Sequence, residues 1–139
     1  FKVFYKAIAF NAFLYRIKRK DSPNCAFCEK LPETLIHIFC DCEIVSPVWQ
    51  DLVDIVQRKH DQNFRLSTFN KLFGVTNDKY LTFLFLSLKY FIFICRFKDT
   101  KPHFNGFINH LSSVKKTEYY LAKKKGKLPV HLKKWRFEL

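Results

Sequence analysis

This sequence predicts a mainly α-helical small domain with an inserted CCHC zinc knuckle, and three observations lead there. Apolar residues recur at helical spacing along most of the chain, and only three glycines occur in 139 residues. Four Cys and one His crowd into residues 25–42. Few glycines and few turn clusters argue against a many-stranded sandwich or barrel. Seventeen Phe within a 48% hydrophobic composition supply material for a core. The length fits one domain, or one domain with a small appendage.

Residues 1–18 place Val3, Ala7, Phe10, Leu14 and Ile17 on one helical stripe. The cations that follow suit a helix C-terminus, and Asp21-Ser22-Pro23-Asn24 reads as a turn into Cys25. Pro32 suits the first position of a short helix bearing Leu35, Ile36 and Phe39. Ser46-Pro47 reads as a cap and first turn of a helix to about Lys59, with Val45, Val48, Trp49, Leu52, Ile55 and Val56 inward. Residues 67–73 predict one or two helical turns ending at Gly74. Residues 81–97 are nearly all apolar but are interrupted by Lys89 and sit at the short end for a bilayer span. A helix buried within its own domain is expected, with no membrane partner. Pro102 opens another helix, with Phe104, Phe107, Ile108, Leu111 and Val114 at helical spacing. The expected organisation is residues 1–60 as helix plus knuckle and following helix, 61–122 as helical core, and 123–139 as a basic mobile tail unless Trp135 or Phe137 docks it.

The net charge is +13 and unevenly spread. Residues 1–30 hold seven Lys/Arg against two carboxylates, whereas residues 31–78 hold four against seven. From Lys115 onward there are nine against Glu118 and Glu138. A single sign winning this heavily is the footprint of a polyanion, RNA or DNA first. The plainer reading is that charge keeps a Phe-rich domain soluble. The candidate phosphate contacts are Arg16, Lys18, Arg19, Lys20 and Lys30 near the zinc turn. Lys123, Lys124, Lys125, Lys127, Lys133, Lys134 and Arg136 form a second group. Trp135 is a candidate base-stacking ring or a tail anchor, and Phe27 either stacks or covers the metal site.

Zinc favours four soft or borderline ligands in a tetrahedron, and structural sites leave no position open. Cys25-x2-Cys28 followed by x8-His37 supplies three of them. Spacing leaves Cys40 and Cys42 as rivals for the fourth, since His37 and Cys40 would share a helix face. Cys95 stands alone in an apolar helix and reads as core. Clustered thiols without a visible secretory signal point to a reducing intracellular compartment, nuclear or cytoplasmic. The chain begins at Phe1 and lacks Met, which predicts a piece of something longer.

The segment Phe13-Leu14-Tyr15-Arg16-Ile17, Lys20-Asp21-Ser22-Pro23-x-Cys25-x-Phe27-Cys28, Pro32-Glu33-Thr34-x-x-His37-Ile38-Phe39-x-x-Cys42 and Trp49 resembles the zinc-binding region downstream of the reverse transcriptase in non-LTR (LINE-type) retrotransposon polyproteins. Leu72-Phe73-Gly74, Lys89-Tyr90-Phe91-Ile92 and Lys101-Pro102-x-Phe104-x-Gly106-Phe107 are similar too, so the resemblance spans most of the chain. It implies Cys25, Cys28, His37 and Cys42 as ligands of a structural zinc ion, with a variable residue at Cys40. It also implies a parent RNA-directed DNA polymerase that copies its transcript at a nicked target, this region helping to hold RNA, DNA or both. Retroviral nucleocapsid knuckles share the ligand order but use a shorter gap before the His. The Tyr-x-Asp-Asp polymerase motif, a phosphate-binding loop and His-Glu-x-x-His do not occur here, and His60, His103, His110 and His131 stand scattered. The chain therefore reads as a non-catalytic module with no small-molecule substrate, and the rest of its polyprotein as a partner. A scaffold domain and a domesticated zinc-finger regulator are the alternatives.

Overall fold

The computed structural model describes residues 8–75 and 77–135. Among these, the chain is a set of helices without strands, and the only sheet-like pairings are the isolated bridges Asn24 with Pro32 and Val75 with Asp78. In order they are α1 (Asn11–Arg16), a π-helical turn (His37–Asp41), α2 (Ser46–Lys59), α3 (Thr68–Phe73), α4 (Lys79–Phe97), α5 (Phe104–Lys124) and α6 (Leu128–Lys134).

The first helix is shorter than its apolar stripe predicts. Phe10 is extended at its N-cap, and Val3 and Ala7 fall outside the described residues. The amide of Asn11 is held by the Glu33 carboxylate at 3.0 Å instead of continuing a helix backward. α1 closes in a Schellman motif: Arg19 N–H donates to Leu14 O at 2.8 Å and Lys18 N–H to Tyr15 O at 3.0 Å. Lys18 takes the left-handed position at φ 58°, where glycine is usual. Pro32 does not start a helix. It pairs with Asn24, because the chain must double back to close the knuckle before helical structure resumes.

α2 matches its predicted span with Pro47 in the first turn, but Val45 and not Ser46 is the N-cap, and no side chain caps the helix. Val48, Trp49, Leu52 and Val56 are buried, and Val53 is buried whereas Ile55 is only half-buried. The Trp49 indole donates to Phe39 O at 2.7 Å, tying α2 to the π-helical turn. α3 begins with a capping box between Ser67 and Asn70 and ends at Gly74, φ 84°. A Cβ at Gly74 would lie 2.6 Å from the Thr82 methyl, so this position is closed to side chains on two grounds.

α4 is long and apolar enough to cross a membrane by length and composition alone. Here it buries Leu81, Leu84, Phe85, Leu88, Ile92 and Cys95 in a core shared with the knuckle, α2 and α5. Lys89, which breaks the apolar run in sequence, is itself buried, and its ammonium donates to Leu72 O at the end of α3. Burial pushes its pKa down to about 8. α4 meets α5 closely at Gly106, where an added Cβ would sit 3.1 Å from the Phe91 ring.

The segment expected as a basic tail forms α6, turned back along α5 by another Schellman motif at Gly126, φ 66°. Its hold is polar and aromatic. Glu118 accepts from Lys134 Nζ at 2.9 Å and from Trp135 Nε1 at 2.8 Å, while Trp135 packs edge-on against Phe83 at 5.2 Å.

Candidate metal centre

The chain makes a tight turn after Cys25, with Glu29 N–H on Cys25 O at 3.0 Å and Glu29 in the left-handed region. Asn24 Nδ2 braces it by donating to Glu29 O at 3.0 Å, and Cys25 N–H donates to Leu31 O at 2.8 Å. The turn points Cys25 and Cys28 at the same space. The π-helical turn supplies the other half. Its i→i+5 bond, Cys42 N–H to His37 O at 2.7 Å, is wider than an α-turn. It brings residues five apart toward one side, so His37 aligns with Cys42 and Cys40 is carried away.

Four ligand atoms, from Cys25, Cys28, His37 and Cys42, all lie within 4.8 Å of one another. Cys25 Sγ and Cys42 Sγ are 3.9 Å apart, and Cys28 Sγ and His37 Nε2 are 3.3 Å apart. Ligands on the edges of a zinc tetrahedron with Zn–S of about 2.3 Å and Zn–N of about 2.05 Å would stand about 3.5–3.8 Å apart. The donor set and spacing fit zinc, with no further position on a four-coordinate ion. This is a candidate structural Zn²⁺ site, one whose metal would add to folding free energy. Cys40 is fully buried and outside the cluster, in the field of Lys71 and Lys89. The rivalry that spacing leaves open is thus decided in the fold for Cys42.

Burial pushes the Cys25 thiol up to about 12 and raises Cys42 as well. At the half-exposed Cys28, burial acts the same way but is outweighed by the amides of Lys30 and Leu31 and by His37, which leave it lowered to about 7. Buried thiols must lose protons to ligate, so metal uptake here releases protons and tightens as pH rises. Phe27 is buried in the core at 2% exposure, and its N–H donates to Cys25 Sγ at 3.4 Å.

One residue central to this arrangement falls within the Pro32-Glu33-Thr34 run but is not singled out as a site residue in the sequence. Glu33 is fully buried. Its carboxylate accepts from Ala26 N–H inside the Cys25 turn at 2.8 Å, from Asn11 N–H at 3.0 Å, and from Arg96 of α4 at 2.9 and 2.6 Å. It ties the knuckle, α1 and α4 to a single group.

The predicted cationic residues divide into two sets in space. Arg16, Lys18, Arg19 and Lys20 are exposed at the end of α1 and in the chain entering the knuckle, and no ion pair joins them to an acid among the described residues. Lys30 meets Glu43 at 2.9 Å, both largely exposed. Lys123, Lys124, Lys125 and Lys127 are exposed around the α5–α6 turn. Lys133 is exposed on α6, whereas Lys134 is engaged by Glu118. Trp135 is 8% exposed and bonded to Glu118, which is the anchoring arrangement. Arg136 lies outside the described residues. No family model, curated protein or solved structure matches the chain.

Proposed function

We propose that this chain is a zinc-organised nucleic-acid-binding module. The observation that carries the reading is the run Arg16, Lys18, Arg19 and Lys20, exposed and without ion-pair partners among the described residues, held at the entrance to the Cys3His knuckle. The metal site has no vacant position to offer a ligand, so its work is to fold the turn that presents these cations. Lys and Arg then displace counterions from phosphates, giving affinity with little sequence choice. The resemblance to the zinc-binding region of non-LTR retrotransposon polyproteins supplies the setting. There the module would help hold template RNA, target DNA or both beside a reverse transcriptase, within the nucleus or cytoplasm, with no reaction of its own.

Fluorescence anisotropy with single-stranded RNA and with duplex DNA, across a salt series, tests this. Binding at low salt should weaken steeply with salt. Replacing Arg16, Lys18, Arg19 and Lys20 by Ala should flatten the log–log slope by about 0.7–0.9 for each phosphate no longer neutralised. Absence of binding at low salt refutes the reading.

A second reading has its own observation. Phe97 is 81% exposed, and Phe69 and Phe73, in tilted contact with ring centroids 5.0 Å apart, are more than half exposed. These rings suit a protein surface, such as the remainder of a parent polyprotein, packing on α3 and α4. Indifference to nucleic acid together with tight association with that remainder would favour it.

A further inference from the structure

The second half of α5 sets exposed rings and cations around two concavities. Lys116, Tyr120, Lys123 and Lys124 follow one another at spacings of four, three and one along the helix, and all are exposed. Lys115 and Tyr119 lie beside them, one turn apart. α6 closes one side of this surface. Its His131 packs edge-on against Tyr119 at 5.7 Å, and its Leu132 borders a concavity of about 510 Å³ with Lys115, Lys116, Tyr119 and Tyr120. Tyr120 also borders a second concavity, of about 440 Å³, with Leu121, Lys123 and Lys124. It is therefore a ring standing between two hollows, 70% exposed, with lysines on both sides.

The charge on this surface has one sign. Glu118 is the only carboxylate in α5 and α6, and it is turned to α6, where Lys134 and the Trp135 indole engage it. Burial would raise its pKa, but the Lys134 and Trp135 hydrogen bonds outweigh burial and lower it, so it stays ionised and neutralised. A face with cations, accessible aromatic rings and, among the described residues of α5 and α6, no free carboxylate is complementary to a polyanion whose flat groups are available for stacking. A duplex hides the faces of its bases, so this chemistry selects single strands. An anionic membrane surface shares the charge preference, but interfacial binding buries a continuous apolar helix face. Here the rings and lysines line hollows.

Resting on the nucleic-acid reading above, we infer that the α5–α6 face is a single-strand binding site, with a base stacked on Tyr120 and the flanking phosphates on Lys115, Lys116, Lys123 and Lys124. It is separate from the cations at the zinc turn, and it gives the module a preference that those cations alone lack.

The test uses the full zinc-loaded chain, labelled oligouridine of about 12 nucleotides, duplex DNA, and anionic phosphatidylserine vesicles. Tyr120→Ala should weaken single-strand binding about tenfold, the effect of losing one stacked base, and leave duplex binding within about twofold. Tyr120→Phe, which keeps the ring, should bind as the wild type does. The side chain is largely in solvent, so both variants should keep wild-type helicity and zinc content. Wild-type binding that Tyr120→Ala leaves unchanged, or that it reduces equally for duplex, overturns this site alone. So does loss confined to vesicle binding. Failure of the wild type to bind any nucleic acid at low salt overturns the broader reading along with it.

Discussion

Glu33→Ala should be among the most damaging single changes in this chain, because one carboxylate serves three parts of the fold. Removing one partner of a buried ion pair costs about 3–5 kcal/mol. The Arg96 side chain keeps 18% exposure, so water recovers part of its hydration and moves the ionic loss toward the lower end. Against that, the amides of Ala26 and Asn11 lose their acceptor, and a stranded buried donor costs about 1–3 kcal/mol. The expected net loss is about 5 kcal/mol or more, a large share of the roughly 5–15 kcal/mol available to a small domain. Arg96→Ala should cost less, about 3 kcal/mol, the lower end for a broken buried pair, since the Glu33 carboxylate loses its countercharge but keeps its three hydrogen bonds from Asn11 and Ala26. Urea unfolding at fixed free zinc, followed by far-UV circular dichroism, measures both. The double variant should reveal a coupling of at least about 1 kcal/mol. Because Ala26 lies inside the Cys25 turn, Glu33→Ala should also weaken zinc affinity by about 10-fold or more. A loss below about 1 kcal/mol, or strict additivity with Arg96→Ala, would refute the clamp.

Two further outcomes follow from the helix ends. Lys18→Gly should raise stability by about 1 kcal/mol, by relieving a left-handed lysine. Gly126→Ala should lower it by a similar amount, about 1 kcal/mol, through backbone strain alone, since an added Cβ meets nothing within 4 Å. Urea midpoints read both, and no change in either contradicts the Schellman assignment. Glu118 is ionised with a lowered pKa, so its hold on α6 is complete above its ordinary value of 4.5 and is lost as pH falls below that through the folded value. Hydrogen-exchange protection factors of α6 amides should fall in that window. Glu118→Gln should show the loosened state already at neutral pH and no further acid step of this origin.

What was legible in the sequence follows the range over which each signal acts. The spans of α2 to α5 came from apolar periodicity and their stops, as with Ser67 and Gly74 around α3, because local chemistry sets them. Spacing points to three of the four ligands and the resemblance to Cys42 as the fourth, but the physical reason, a π-helical turn that carries Cys40 away, is not encoded in spacing. Pro32 resembled a helix start because the bridge to Asn24 that overrides it is a pairing across the knuckle. Glu33 and Lys89 are charged, and charged residues are ordinarily at the surface. Their burial is explained only by partners far along the chain, Arg96 for one and Leu72 O for the other. The docking of residues 128–135 likewise rests on Glu118, a pairing that composition cannot reveal.

Zinc content measured on protein purified without chelator, for the wild type and for Cys40→Ala and Cys42→Ala side by side, tests whether Cys25, Cys28, His37 and Cys42 hold a structural zinc ion. About one zinc per chain is expected in the wild type and in Cys40→Ala, with marked loss in Cys42→Ala. Less than about half a zinc in the wild type, or loss in Cys40→Ala with retention in Cys42→Ala, would contradict this ligand set.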